Sequence, residues 1–177
     1  EYIDKIKAAG ESCGGVVETI VRGVVPGIGS YVHYDRKLDG AIAGAVMSLQ
    51  AIKGVEIGRG FEAADLSGSL VHDEIKFDNG FSRMTNRAGG IEGGMTHGEP
   101  LVVTAIMKPI PTLKKSLDTI DLKTMEQTEA HFERSDTCAV EACSVVAENR
   151  IACVLIDEFN TDEIYDFITL SKYNNVD

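Results

Sequence analysis

An α+β fold, with mainly antiparallel strands layered on long helices, is what this sequence predicts. Three observations carry that expectation. Leu101–Met107 is a short, β-branched apolar run of the kind a buried strand needs, and Cys138–Phe159 is a long stretch rich in Ala and Val that reads as a helix. The order of signals is strand, helix, strand, loop, strands, helix, helix, which is not the strict alternation of a parallel doubly wound sheet.

Taken in order, Glu1–Lys7 has the pattern of an amphipathic helix met in its middle, without a cap, and is expected to continue from a preceding segment. Gly14–Val25 alternates apolar and polar residues and ends at Pro26-Gly27-Ile28-Gly29, a strand followed by a turn. From Asp35 to Ala51 the period changes: Leu38, Ile42, Ala45, Val46 and Leu49 fall on one helical face. Asp35 is placed as the N-cap, and Gly40, Ala41, Ala43 and Gly44 allow close packing. Lys53–Phe61 returns to a short strand. Residues 63–84 are polar and irregular, a surface excursion expected to be mobile. Weaker strand signals surround Thr119–Leu122 and Glu129–Phe132. The Cys138–Phe159 helix is apolar over much of its circumference and is expected to lie buried between layers. Asp162–Leu170 reads as a short amphipathic helix, and residues 171–177 as a frayed tail. The 177 residues thus make one domain, able to bury one core.

The net charge of -11 excludes a nucleic-acid backbone as the main partner, because phosphate tracking needs a surplus of Lys and Arg. No apolar run approaches the roughly 18 residues of a membrane helix, and the first residues have no signal-peptide shape, so a cytoplasmic protein is expected. Cys13, Cys138, Cys143 and Cys153 show no zinc-type spacing and read as reduced, largely buried thiols. His33, His72, His97 and His131 lack partner spacing and read as surface or hydrogen-bonded histidines.

Chemistry concentrates in Asn86–Thr112 and in Arg134–Cys138. The first segment carries Gly89-Gly90 and Gly93-Gly94, then a strand, then Lys108-Pro109-Ile110-Pro111-Thr112. Such glycine density lets backbone approach a ligand closely. Two prolines fix the chain around Lys108, so its ammonium loses little freedom on meeting an anion. Between Phe81 and Lys115 the bases Arg83, Arg87, Lys108, Lys114 and Lys115 face only Glu92 and Glu99, a local positive field within an acidic chain. Arg134-Ser135-Asp136 stands before the long helix, where Ser135 or Asp136 could cap. An arginine there opposes the helix dipole unless an anion offsets it. The glycine pairs precede a strand rather than a helix, so neither dinucleotide-fingerprint nor P-loop geometry applies.

These segments, with Gly10-Glu-Ser-Cys-Gly-Gly, Ser30–Asp39 and Met47–Gly58, resemble the C-terminal half of the chorismate synthase family, in the family's order from about Ile3 to Phe159. The resemblance implies a lyase that eliminates phosphate from 5-enolpyruvylshikimate 3-phosphate to give chorismate, dependent on reduced FMN, with NADPH also associated with the family. It implies a homotetramer of a β-α-β sandwich of which this chain is half, the other half carrying Ser-His-Gly and Arg-rich substrate motifs and catalytic histidines. The isolated chain is then expected to be inactive. Carried over by position, the FMN contacts are Gln50, Ala51, Gly93, Lys108, Pro109, Ile110, Pro111, Thr112 and Arg134, and Asp136 is the catalytic residue of proton movement. The chain departs from the family pattern at Glu141 and Cys143, where proline and alanine are usual; Glu141 is expected in the helix's first turn, where an acid is favoured.

Overall fold

The structure, a computed structural model, describes residues 1–159. Helix α1 (Tyr2–Ala8) leads to strand β1 (Gly15–Val21); a 3-10 turn at Tyr34–Arg36 precedes α2 (Leu38–Met47), and β2 (Ile52–Ile57) follows. After a 3-10 segment at Gly60–Asp65 come α3 (Gly68–Val71), β3 (Ile75–Phe77), β4 (Phe81–Arg83), β5 (Ile91–Glu92) and β6 (Met95–Thr96). The order closes with β7 (Leu101–Met107), β8 (Asp118–Ile120), β9 (Gln127–Glu129) and α4 (Val140–Phe159). The helix expected at 162–170 and the tail at 171–177 lie outside the described residues.

β7 is the centre of the fold because, among the described strands, it alone pairs on both edges, antiparallel to β1 and to β2. Its side chains obey the strand period of two: Leu101, Val103, Ala105 and Met107 are buried while Ile106 points to solvent. The inward row meets two helices packed on the same face of the sheet, α2 against β2 and α4 against β1, with α2 also touching α4. Leu38, Ile42 and Val46 form the buried stripe of α2 and are each 0% exposed; burial of such side chains is worth about 1.5–3 kcal/mol apiece. Cys143, Ala147 and Ile151 form the matching stripe of α4.

Several sequence expectations change here. Asp35 does not cap α2. It sits in the 3-10 turn with its carboxylate 2.6 Å from His33 Nδ1, while Lys37 occupies the N-cap position. The orphan amide of Leu38 is satisfied instead by the backbone carbonyl of Gly94, at 3.0 Å, a long-range partner that no local sequence signal encodes. Gly44 does not serve close packing, since a Cβ there would meet open space. Residues 63–84 are not irregular: they contain α3 and the β3–β4 hairpin, and Asp73 within them is buried. The α4 helix buries one stripe only; Val145, Val146 and Ile156 on its outer side are exposed. The weak strands near 119 and 129 are present as an exposed hairpin, β8–β9, closed by Asp121 accepting the amides of Lys123 and Thr124.

Candidate active site

The C-terminal end of β7 is where most of the candidate residues gather. The amide of Lys108 donates to the carbonyl of Ala51 at 2.8 Å, which ties the chain leaving α2 to the start of the Lys-Pro turn. Ala51 holds φ +67, a left-handed conformation uncommon outside glycine, so the local backbone is set by its tertiary partner rather than by its own preference. Two hydroxyls fix the far side of the turn: Ser12 Oγ donates to the carbonyl of Ile110, and Ser135 Oγ donates to the carbonyl of Thr112 at 3.2 Å. Cys13 donates its amide to Thr137 O at 2.9 Å, drawing the Arg134–Asp136 loop onto the start of β1.

Gly14 makes this convergence possible. A Cβ at that position would stand 2.1 Å from the carbonyl oxygen of Met107 and 2.9 Å from the carbonyl carbon of Lys108, so only glycine lets β1 begin against the Lys-Pro turn. Gln50, Ala51, Lys108–Thr112, Arg134 and Asp136 thereby share one end of the sheet. Gln50, Lys108, Pro109, Pro111, Arg134 and Asp136 are exposed; Ala51, Ile110 and Thr112 are half-buried. Neither Lys108 nor Arg134 is ion-paired with any described residue, whereas Lys115 is engaged by Glu11 at 3.4 Å. A narrow cavity of about 60 Å³ opens between Ser12, Thr112, Lys114, Ser135 and Asp136. The larger cleft, about 740 Å³, lies at the other end of α2 among Tyr34, Lys37, Asp39, Glu56 and Phe61, and none of the candidate residues lines it.

Gly93 is not brought to this cluster. Gly93 and Gly94, with φ +62 and +87, form the two-residue turn of the β5–β6 hairpin, a geometry that favours glycine at both positions. Through the Gly94 carbonyl that turn abuts the first residue of α2, while Gln50 and Ala51 follow its last. The ten residues of α2 separate the two groups by about 15 Å.

The expected cap and part of the expected charge are also corrected. α4 begins at Val140, so Ser135 and Asp136 lie ahead of the helix and neither caps it; the Ser135 hydroxyl is spent on Thr112. Glu141 does occupy the first turn. Arg83 pairs with Glu92 at 2.8 Å and the Arg87 guanidinium donates to the His72 carbonyl at 3.4 Å, so these two cations belong to the glycine block and not to the Lys-Pro turn.

Sequence reasoning missed the residues that organise the glycine block. Asp73 accepts from the Thr85 hydroxyl and from the amides of Arg87 and Ala88, at 2.9 and 3.0 Å. Its burial opposes ionisation, but the Thr85 hydroxyl, the Ala88 and Arg87 amides and the nearby Arg83 charge outweigh it and hold the carboxyl below its usual range. Asn86 bridges the Gly90 amide and the Pro100 carbonyl. His97 departs from the expectation of a surface or hydrogen-bonded histidine: both ring nitrogens are buried without a partner among the described residues. Burial first, then the Arg83 charge, pushes its pKa down. Partners 12–15 residues away leave no local pattern, which is why Asp73 could not be found by motif.

Comparison with known proteins places this arrangement. The family model described as chorismate synthase matches residues 1–159. The chain belongs to the chorismate synthase family. It is 58% identical over 168 residues to a chorismate synthase of Shouchella clausii, covering 92% of this chain and 43% of that protein. It is 56% identical over 168 residues to a chorismate synthase of Bacillus subtilis strain 168, with the same coverage. A solved crystal structure of chorismate synthase superposes with a TM-score of 0.73 at 48% identity, over 89% of this chain and 40% of that one. The antiparallel α+β fold is thus that of a chorismate synthase, and the chain spans less than half the length of the curated relatives it matches. No helix among the described residues is long and apolar enough to cross a membrane.

Proposed function

We propose that this chain supplies most of the flavin site of a lyase that removes phosphate from 5-enolpyruvylshikimate 3-phosphate to give chorismate, in a cytoplasmic homotetramer. The observation that carries the reading is the convergence of Ala51, the Lys108–Thr112 turn and the Arg134–Asp136 loop at one end of the sheet, with two cations left unpaired by the described residues. That donor set suits reduced FMN, whose anionic tail calls for fixed positive charge and whose ring can lie over the exposed prolines and half-buried Ala51. The 60 Å³ cavity is too small for a flavin ring, so the residues that would hold the ring are those exposed on the outer face of the cluster.

Reduced FMN, when bound, supplies electron density as phosphate leaves. Lys108 and Arg134 hold negative charge, the lysine on a stem that Pro109 and Pro111 have already restricted, so little freedom is lost on binding. Gln50 offers a neutral donor and acceptor at the edge of the same surface. Asp136, exposed and without a described hydrogen-bond partner, is free to move a proton at its carboxylate. Lys108→Ala and Arg134→Ala in the complete enzyme are each expected to weaken FMN binding by about 1–3 kcal/mol, read by fluorescence quenching. Unchanged titrations in both variants would remove these residues from the site. A second reading, a non-catalytic fragment that assembles with itself, is favoured by the exposed Val145, Val146 and Ile156 on α4. It requires chorismate formation to be absent in the complete protein as well.

A further inference from the structure

Cys13 and Cys138 stand opposite each other as a parallel β-bridge, joined by the hydrogen bond from the Cys13 amide to the Thr137 carbonyl. Paired residues on adjacent extended chains lie about 4.8 Å apart and present their side chains on the same side. A disulfide spans Cα separations of about 4.4–6.8 Å, so the spacing of such a bridged pair falls within its range. The two thiols differ in access, Cys13 being 7% exposed and Cys138 half-buried. We infer that Cys13 and Cys138 are a reversible dithiol–disulfide pair that fastens the start of β1 to the loop ahead of α4.

The oxidant class is a peroxide, and the more accessible sulfur reacts first. Cys138 sulfur attacks one peroxide oxygen, the O–O bond breaks, and a sulfenic acid and one water result. Cys13 sulfur then attacks the sulfenic sulfur, forming the S–S bond and releasing the second water. The two sulfurs together lose two electrons, the peroxide gains them, and both thiol hydrogens leave in the waters. A dithiol reductant reverses the change by exchange. Burial, and then the Cys138 thiol beside it, push the Cys13 thiol's pKa up, so Cys13 is the slower of the two to meet peroxide directly. The other two cysteines lie on α4, Cys143 buried on its inner stripe and Cys153 exposed. The cross-link stiffens the two loops that carry Ser12 and Asp136, whatever those loops bind.

The test treats the full chain, carrying Cys153→Ser to prevent links between molecules, with hydrogen peroxide and maps peptides by mass without reduction. The expected result is a linked Cys13–Cys138 peptide lighter by two hydrogens, a melting temperature raised by several degrees, and reversal of both by dithiothreitol. Adding Cys138→Ser should leave the reduced protein folded and abolish the rise. Higher oxidation of Cys138 with Cys13 still a free thiol, a Cys138–Cys143 link, or no loss of hydrogen would each overturn the inference.

Discussion

Asp136 is exposed, precedes α4 without capping it, and carries no hydrogen bond to any described residue, so replacing it should cost the fold almost nothing. Asp136→Asn keeps shape while removing the carboxylate's charge and its capacity to take up and release a proton. In the complete enzyme it is expected to cut chorismate formation by about 10²–10⁴-fold, the usual weight of a positioned proton-transfer group, with FMN affinity and melting temperature nearly unchanged. Steady-state turnover within a factor of a few of the parent would make Asp136 a bystander. At this scale the sequence told much. Lys108 between its strand and two prolines was legible because proline acts locally. Ser12 and Ser135, which hold that turn by hydroxyl-to-carbonyl bonds spanning 98 and 23 residues, were not, because a serine's partner cannot be read from its neighbours.

Elements were legible where one period dominated. β7 appears at the expected bounds and α2 with its expected inner stripe, since burial on one face leaves a repeating trace, whereas α4 was legible as a helix but not as one with a single buried stripe. The β3–β4 and β5–β6 hairpins were obscured because their stability comes from Asp73 and Asn86 and not from an apolar repeat. This polar scaffold should make the glycine block acid-sensitive in two stages. The folded pKa of His97 lies below the unfolded value of about 6.5, so the unfolded chain takes up a proton first and stability declines as pH falls below about 6.5. The folded pKa of Asp73 also lies below its unfolded value, about 3.9; its contribution is present above that value and is lost as pH falls through the folded pKa. Denaturant melts across pH should show His97→Leu flattening the first stage alone. Asp73→Ala leaves the Thr85 hydroxyl and two amides without their acceptor and is expected to cost about 1–3 kcal/mol at neutral pH. An unchanged pH slope in His97→Leu would show that its ring is hydrated in solution.

For the whole molecule, the antiparallel α+β class followed from the order of elements, and the family from motifs distributed along almost the full described length. The exposed outer side of α4 was not foreseen as solvent-facing, because an apolar helix looks the same in sequence whether its second side is covered within the chain or by something else. The 177-residue chain assayed alone with reduced FMN and 5-enolpyruvylshikimate 3-phosphate is expected to form no chorismate above background, since it spans 43% of the length of the chorismate synthase of Shouchella clausii and proximity demands every group at once. Measurable turnover by the verified chain would reverse that expectation. The separation of Gly93 from the Lys-Pro turn by the length of α2 carries a further consequence. If both touch one flavin, that molecule must lie extended along the helix, with its two ends at opposite ends of α2. Cofactor loading and the integrity of both ends would then be thermodynamically linked, so that added FMN stabilises the β5–β6 turn and the Lys-Pro turn together.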